Sequence, residues 1–158
     1  MPHKELLRST KDETVELTYD RIRKTFRGEI HPPIAKLIGF RVTSVKRGEA
    51  VFEFQAAQRH TNPMGTVQGG VLCCVADAAM GYAYASTLEE GESFTTLELK
   101  INYLKPVWNA RLRAVGRVVR RGRTIGLTQC DVMDENEELV AHATSTCMTL
   151  RGEKAKGR

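Results

Sequence analysis

One stretch of this chain constrains its fold more than any other: between Gly69 and Leu88 the only charged residue is Asp77. A stretch of this length can span a bilayer as a helix. It is rich in Gly, Ala, Ser and Thr, however, and its central carboxylate would cost about 2.5 to 3.5 kcal/mol in lipid. We therefore expect a buried helix of a soluble domain, apolar on every side and surrounded by the rest of the fold.

The sequence on both sides of this helix predicts antiparallel strands. A hairpin is expected where apolar residues alternate around a polar turn at 46–49, and a brief helix closed by Gly39 comes before it. After the helix, Leu97 to Tyr103 alternate at period two, and further strands are predicted at about 111–119, 124–133 and 139–150. A change of phase within 124–133 predicts a bulge or a strongly bent strand there. One sheet can surround one helix by curling around it, which leaves free edges for pairing between subunits.

The length of 158 residues fits one domain with its own core. We divide the chain into an N-terminal helical extension at 1–30, the main domain at 31–150 and a frayed basic tail at 151–158. The extension carries a loose amphipathic pattern from about 12 to 27, which indicates a surface helix. Its first residues are polar and lack the apolar core of a signal peptide, so a cytoplasmic protein without a membrane segment is expected.

The net charge of +5 comes from Lys and Arg scattered along the chain, with only 6% aromatic residues. Without a recognisable nucleic-acid motif, this pattern favours small anionic ligands over nucleic acid. The one cluster of basic residues could hold phosphate groups or serve only as solubilising charge. It consists of Arg117, Arg120, Arg121 and Arg123.

The four cysteines lack the paired spacing of a zinc site, and we expect free thiols and no metal. Cys73 and Cys74 precede Asp77 by one helical turn, where its charge would raise their pKa. This argues against a cysteine nucleophile.

Asp77 itself needs an explanation, because burying a carboxylate without a partner is unfavourable. It could pair with a nearby basic group or a backbone amide. Alternatively it is a catalytic base, since desolvation would raise its pKa. Gly69 and Gly70 begin the helix, where unpaired N–H groups can receive an oxyanion. They lie about 11 Å from Asp77 along the axis, so a two-fold dimer would be needed to bring them together.

The loop before the helix carries the most specific motif. From His60 to Val71 it reads His-Thr-Asn-Pro-Met-Gly-Thr-Val-Gln-Gly-Gly-Val. Followed by Asp77, this run resembles the acyl-CoA thioesterases of the phenylacetic-acid-degradation type, in the 4-hydroxybenzoyl-CoA thioesterase superfamily. The segment from Thr95 to Pro106 is similar to the family's strand after the helix, so the resemblance spans about 31–150. It implies an α+β hotdog fold, a curved antiparallel sheet wrapped around a long central helix, here with an N-terminal surface helix.

The resemblance also implies roles for individual residues. Asp77 would be general base or nucleophile, and the amide of Gly69, with that of Gly70, would polarise the thioester carbonyl. Asn62 would hold the carbonyl or the water, and Thr96, in preference to the adjacent Thr95, would position the water. The predicted substrate-binding residues are Gln68, His60, Met64, Arg120 and Arg123.

Some of these assignments have competing interpretations. Gln68 stands where the family usually has His, so it can form hydrogen bonds but cannot titrate. For His60, a loop-organising role carries more weight than a catalytic one. Met64, Tyr82 and Phe94 could line the acyl pocket or fill the core.

The predicted reaction is hydrolysis of an acyl-CoA, aryl or short- to medium-chain, by a homodimer or a dimer of dimers. Coenzyme A is part of the substrate and no cofactor is expected. Two alternatives stay open: a non-catalytic acyl-CoA-binding protein, and a hotdog hydratase or dehydratase, which would need a paired His and acid. A purely structural interaction protein would leave Asp77 unexplained.

Overall fold

The chain forms a six-stranded sheet and a long helix within residues 23–156, the part that the computed structural model describes. The predicted N-terminal helix lies mostly outside these residues, although residues 23–26 are helical. The elements are α1 (Pro33–Ile38), β1 (Phe40–Lys46), β2 (Glu49–Ala56), a 3-10 helix (Gln58–His60), α2 (Gly69–Ala85), β3 (Ser93–Tyr103), β4 (Ala110–Arg121), β5 (Ile125–Met133), β6 (Leu139–Leu150) and a second 3-10 helix (Gly152–Ala155).

The elements from α1 to β2 agree closely with the sequence prediction. Helix α1 begins with Pro33, whose missing N–H costs nothing in the first turn, and ends at Gly39 in the left-handed conformation with φ of 91°. Strands β1 and β2 then form the predicted hairpin, in which Lys46 pairs with Glu49. The brief helix and the hairpin are thus both confirmed.

All six strands form one sheet in the order β1-β2-β4-β5-β6-β3, and every pair of neighbours is antiparallel. Strands β1 and β3 are the edges. The sheet curls around α2, which packs mainly against β2, β4 and β5. This arrangement confirms the predicted α+β hotdog architecture.

Within residues 23–156, helix α2 is covered on one face only, so the described part of the chain does not surround it as expected. Its inner face is buried against the sheet through Leu72, Val75, Ala76, Ala79, Met80 and Ala83. The opposite side, called here the open face of α2, is half-buried or exposed and consists of Gly70, Cys73, Cys74, Asp77, Ala78 and Gly81. No helix within residues 23–156 is long and apolar enough to cross a membrane.

Gly116 of β4 allows the close approach of sheet and helix. A Cβ atom there would lie 2.3 Å from the carbonyl oxygen of Ala79 on the inner face of α2. Only glycine fits at this contact, because the backbones of β4 and α2 approach each other directly and leave no room for a Cβ atom.

Two local predictions are wrong. Strand β5 alternates regularly, with Ile125 and Leu127 exposed on its outer side, and the bulge falls in β4 between Val118 and Arg120. The change of phase therefore reflects apolar residues on the outer face. The predicted frayed tail instead forms a 3-10 helix up to Ala155, which is buried.

Candidate active site

Asp77 lies at the middle of α2, on its open face, and lines a cleft of about 200 Å³. In the single chain its side chain is exposed, so it is less buried than the sequence suggested. The apolar cleft walls still remove part of its solvent, and this raises the pKa of the carboxyl above its ordinary value. The lining residues are Thr25, Asp77, Ala78, Gly81, Tyr82, Ala85, Phe94 and Thr96.

Thr96 of β3 shares this cleft with Asp77. Its partner across the sheet is Cys147, which is buried, so this position faces the helix. Thr95 pairs with Met148 and is not part of the cleft lining. The structure therefore brings Thr96, and not Thr95, together with Asp77, while its role toward water stays a prediction.

Gly69 and Gly70 open α2, and Gln68 is the residue before the first helical turn. The Gln68 side chain is exposed and forms no capping hydrogen bond. The Val71 N–H donates to the Gln68 carbonyl at 2.9 Å, so the free first-turn donors within residues 23–156 are the N–H groups of Gly69 and Gly70. A Cβ atom at Gly70 would meet nothing within 4 Å, so the helix start is open to approach on the Gly70 side.

Within one chain, these amides and Asp77 stay apart. Eight residues separate Gly69 from Asp77 in α2, which corresponds to about 12 Å along the helix axis. One chain therefore holds two halves of a site, an anion-accepting helix start and a carboxylate cleft, and does not bring them together.

Tyr103, at the end of β3, belongs to the first of these halves and was missed by sequence reasoning. A Cβ atom at Gly69 would lie 2.7 Å from Cζ of Tyr103 and 2.9 Å from its hydroxyl oxygen. The ring stays about half exposed, and burial, followed by the nearby Cys73 thiol, raises the pKa of its hydroxyl. The signal was present: Tyr103 ends the alternating run that predicted β3, on its helix-facing side.

The Asn62 side chain is engaged within its own loop. Its Oδ1 accepts the Met64 backbone N–H at 2.9 Å, and its Nδ2 donates to the Thr66 hydroxyl at 3.0 Å. The chain turns at Gly65 with φ of 83°. Met64 at the loop tip is 82% exposed, so it does not fill the core of this chain.

His60 is buried, and both of its ring nitrogens are used inside the chain. Nδ1 accepts the Ala57 backbone N–H at 3.0 Å, and Nε2 donates to the Ile38 carbonyl at 2.8 Å. The ring also packs edge-on against Phe54. This geometry favours the loop-organising role over a contact with substrate.

The segment from His60 to α2 is tied down by backbone bonds as well. The Gln68 N–H donates to the His60 carbonyl at 2.8 Å, and the Val67 N–H donates to the Val107 carbonyl at 2.7 Å. The first turn of α2 therefore starts from a held position.

The basic cluster divides into two pairs. Arg117 forms ion pairs with Glu49 and Asp131, and Arg121 binds Glu92 and stacks over the Tyr84 ring. Arg120 and Arg123 are exposed and form no ion pair within the described part of the chain. They lie at the β4–β5 turn, near the C-terminal end of α2, where Arg121 bonds to Thr87.

The cysteines are all free thiols. Burial, and to a smaller extent the charge of Asp77, raises the pKa of both Cys73 and Cys74. The direction of this shift is the one predicted from the sequence. Burial raises the pKa of Cys130 to about 12. A thiolate nucleophile is therefore disfavoured at each of these positions. No group of three potential metal ligands occurs within residues 23–156.

Comparison with known proteins places these features in a family. Residues 64–141 match the model of the thioesterase superfamily. A Saccharolobus solfataricus protein named "Putative esterase" is 30% identical over 118 residues, which cover 75% of this chain and 84% of the relative. The 1,4-dihydroxy-2-naphthoyl-CoA hydrolase of Listeria monocytogenes is 24% identical over 121 residues, covering 77% and 98%.

Solved structures show the same similarity. A phenylacetic acid degradation-related protein from Ralstonia eutropha superposes with a TM-score of 0.73 at 33% identity, covering 80% of this chain and 98% of that one. The PaaI protein of Escherichia coli, at 21% identity and a TM-score of 0.72, shares the fold over 89% of this chain and 93% of its own.

Proposed function

The chain is a member of the thioesterase superfamily and a thioester hydrolase, and from this premise we propose that it hydrolyses acyl-CoA to a free acid and coenzyme A. The observation that carries the proposal is the shared cleft of Asp77 and Thr96, which is otherwise lined mainly by apolar groups. A carboxylate with a raised pKa at the mouth of an apolar cleft suits a base or nucleophile acting on a bound acyl group.

In the base mechanism, Asp77 takes a proton from a water held by Thr96, and the water oxygen attacks the thioester carbonyl carbon. The resulting oxyanion collapses, the carbon–sulfur bond breaks, and the thiolate of coenzyme A leaves. In the nucleophile mechanism, a carboxylate oxygen of Asp77 attacks the same carbon, the carbon–sulfur bond breaks and the thiolate of coenzyme A leaves. The mixed anhydride formed in this way is then hydrolysed by water, which gives the free acid and restores the Asp77 carboxylate. Both routes use the same cleft, and both give acid and thiol.

The oxyanion needs donors, and the free amides of Gly69 and Gly70 are suited to this task. Since they lie about 12 Å from Asp77 in the same helix, a partner subunit would supply them. Antiparallel packing of two α2 helices through their open faces places Gly69 of one chain beside Asp77 of the other. Cys73, midway between these residues and on the same face, then lies next to the two-fold axis.

Two surfaces of the single chain support this dimer. The open face of α2 contains mostly small residues, so a second helix can approach it closely. Among the described residues 23–156, no strand pairs with the outer side of the edge strand β3, and its residues Leu97 and Tyr103 are 53% and 51% exposed. Exposed apolar positions on a free strand edge favour pairing with another chain. A dimer of dimers would build on the same unit.

The remaining predicted contacts fit around this centre. Gln68 precedes the donors and can form hydrogen bonds with substrate, although it cannot protonate the leaving group. A thiol leaves readily as thiolate, because its pKa of about 8.5 is low for a leaving group. Arg120 and Arg123, free of ion pairs in the described chain, are candidates for the phosphates of coenzyme A.

The cleft volume limits the size of the acyl group that can bind. A cavity of about 150 Å³ can hold a benzene molecule, so about 200 Å³ accommodates one aromatic ring or a short to medium aliphatic chain. The Listeria monocytogenes relative is named for an aryl-CoA substrate, which supports the aryl option.

The test is release of thiol from a panel of acyl-CoAs by wild type, Asp77→Ala and Asp77→Asn, after circular dichroism has shown that all three are folded. We expect turnover of at least one acyl-CoA, and a loss of about 10² to 10⁴ in kcat for both variants. If wild type binds acyl-CoA without releasing thiol, the acyl-CoA-binding alternative replaces hydrolysis.

A second readout separates the two roles of Asp77. Hydroxylamine added during turnover attacks a mixed anhydride at either carbonyl carbon, so it gives a hydroxamate of Asp77 or of the acyl group, and mass spectrometry detects both. A hydroxamate at Asp77, or acyl hydroxamate formed faster than without enzyme, supports the nucleophile mechanism. Neither product at full turnover supports the base.

A further inference from the structure

Gly81 follows Asp77 by one helical turn and lines the same cleft. Residues four apart in a helix lie on the same face, so the cleft continues along α2 from Asp77 past Gly81 to Ala85. This distance is about 12 Å. Along it the floor consists only of small residues, and Tyr82 and Phe94 form the aromatic walls.

Within residues 23–156 of a single chain, packing does not require glycine at position 81. At Gly116 and Gly126 a Cβ atom would lie 2.3 Å from an atom of α2, so glycine is needed there. At Gly81 a Cβ atom would lie 3.5 Å from Cζ of Phe94, which is ordinary van der Waals contact. Because glycine destabilises a helix interior relative to alanine, a residue in the helix that could be alanine has another use for the space.

We infer that Gly81 determines the size of acyl group that the cleft accepts, an inference that rests on the proposed hydrolysis of acyl-CoA. Any side chain atom beyond Cβ at this position extends into the space between Tyr82 and Phe94. Since the cleft is only about 200 Å³, a leucine at 81 leaves room for a very short acyl chain and excludes an aromatic ring.

Phe94 bounds the cleft on the side opposite Gly81. Its ring faces Gly81 and packs against Tyr84 with a centroid distance of 5.5 Å. Removing the Phe94 ring enlarges the cleft next to Gly81. A leucine at position 81 would instead reduce the cleft volume. The two positions therefore change the accepted acyl size in opposite directions, and their effects are coupled.

The experiment compares kcat/KM for acetyl-, hexanoyl-, phenylacetyl- and dodecanoyl-CoA in wild type, Gly81→Leu, Phe94→Ala and the double variant. For Gly81→Leu we expect the ratio of phenylacetyl- to acetyl-CoA activity to fall about 10-fold or more. Phe94→Ala shifts activity toward dodecanoyl-CoA, and the double variant recovers phenylacetyl-CoA. If Gly81→Leu lowers activity on all four substrates by the same factor, the inference is overturned.

Gly81→Ala keeps the inference testable where leucine disturbs the fold. Its thermal unfolding midpoint should rise by about 2 °C, since alanine favours the helix, while the ratio of phenylacetyl- to acetyl-CoA activity falls. A lower midpoint would mean that glycine is needed for packing, and would overturn the inference.

Binding separates this inference from the proposed reaction. Calorimetric titration uses coenzyme A analogues in which a methylene group lies between the sulfur and the carbonyl, so that they cannot be hydrolysed. If wild type releases no thiol from any acyl-CoA, the proposed hydrolysis fails. The ratio of Kd values for the phenylacetyl and acetyl analogues still decides the role of Gly81: it increases in Gly81→Leu if the inference holds, and an unchanged ratio refutes it.

Discussion

The Tyr103 ring lies over Gly69 so closely that a methyl group at Gly69 would come within 2.7 Å of the Tyr103 ring carbon Cζ. This contact joins the end of edge strand β3 to the first turn of α2. It also means that a larger residue at position 69 would have to move the Tyr103 ring, a steric effect independent of any chemistry of the Gly69 amide.

Gly69→Ala should therefore displace either the Tyr103 ring or the first turn of α2. Since the proposed oxyanion donor moves with that turn, we expect kcat to fall about 10-fold or more. Gly70→Ala is the matched control, because a Cβ atom there meets nothing within 4 Å, and it should lose less. Adding Tyr103→Ala to Gly69→Ala should restore part of the rate. Equal losses in the two single variants would show that the Tyr103 contact is irrelevant.

The raised pKa of Asp77 gives a pH dependence with a defined sign. Its carboxylate is the active form, so kcat/KM should rise with pH through the pKa of the folded enzyme, at a pH above the ordinary value of 3.8. A profile from about pH 4 to 9 measures this. A profile in which activity rises with a midpoint at or below pH 3.8 would contradict the partial desolvation of Asp77.

The raised pKa of Asp77 also makes stability depend on pH: activity should increase as pH rises, whereas the contribution of Asp77 to stability decreases. Because the folded state holds the proton more tightly than the unfolded state, the contribution of Asp77 is most favourable below its unfolded pKa and is lost as pH rises through the folded pKa. Asp77→Asn should thus be more stable than wild type at pH 7, with a smaller difference at acidic pH. Thermal unfolding at both pH values checks the sign.

Gly116→Ala should destabilise the fold, because its Cβ atom would lie 2.3 Å from the Ala79 carbonyl oxygen, and neither backbone can yield easily. Overpacking of this kind costs about 1 to 3 kcal/mol. Urea unfolding measures the change in the free energy of unfolding. A loss of less than about 0.5 kcal/mol would show that α2 and β4 can separate more readily than their packing indicates.

The proposed dimer predicts where two chains can be cross-linked. If the two-fold axis passes near Cys73, mild oxidation should join two chains through this residue without losing the folded dimer. Gel electrophoresis under non-reducing conditions detects the product. Cys74→Ala should still cross-link, and Cys73→Ala should not. A dimer by light scattering that never cross-links at Cys73 would require a different helix arrangement.

Much of the fold could be predicted because its signals are local. The alternation from Leu97 to Tyr103, the glycine at position 39 and the polar turn at 46–49 each reflect one turn or one strand. The phase change in β5 misled because Ile125 and Leu127 are apolar yet lie on the outer face, 47% and 41% exposed. Periodicity shows that a strand has an apolar side but does not show which side meets the helix.

The site could be predicted only in part, for a related reason. The loop motif and Asp77 are local in sequence, and the structure brings Thr96 into the cleft of Asp77, while the roles of both residues stay predictions. The contact of Tyr103 with Gly69 joins residues 34 positions apart, and no local pattern reports it. The cleft at Gly81 depends in the same way on Phe94 from another strand.

The backbone bonds that hold the segment before α2 have a thermodynamic consequence. The carbonyl of His60 binds the N–H of Gln68, and the carbonyl of Val107 binds the N–H of Val67, so the start of the helix is set before any substrate arrives. Donors that are already oriented need no reorganisation when negative charge develops on the carbonyl oxygen. In the proposed mechanism, folding thus provides the stabilisation of that charge, and the buried His60 acts by holding the loop, without touching the reacting atoms.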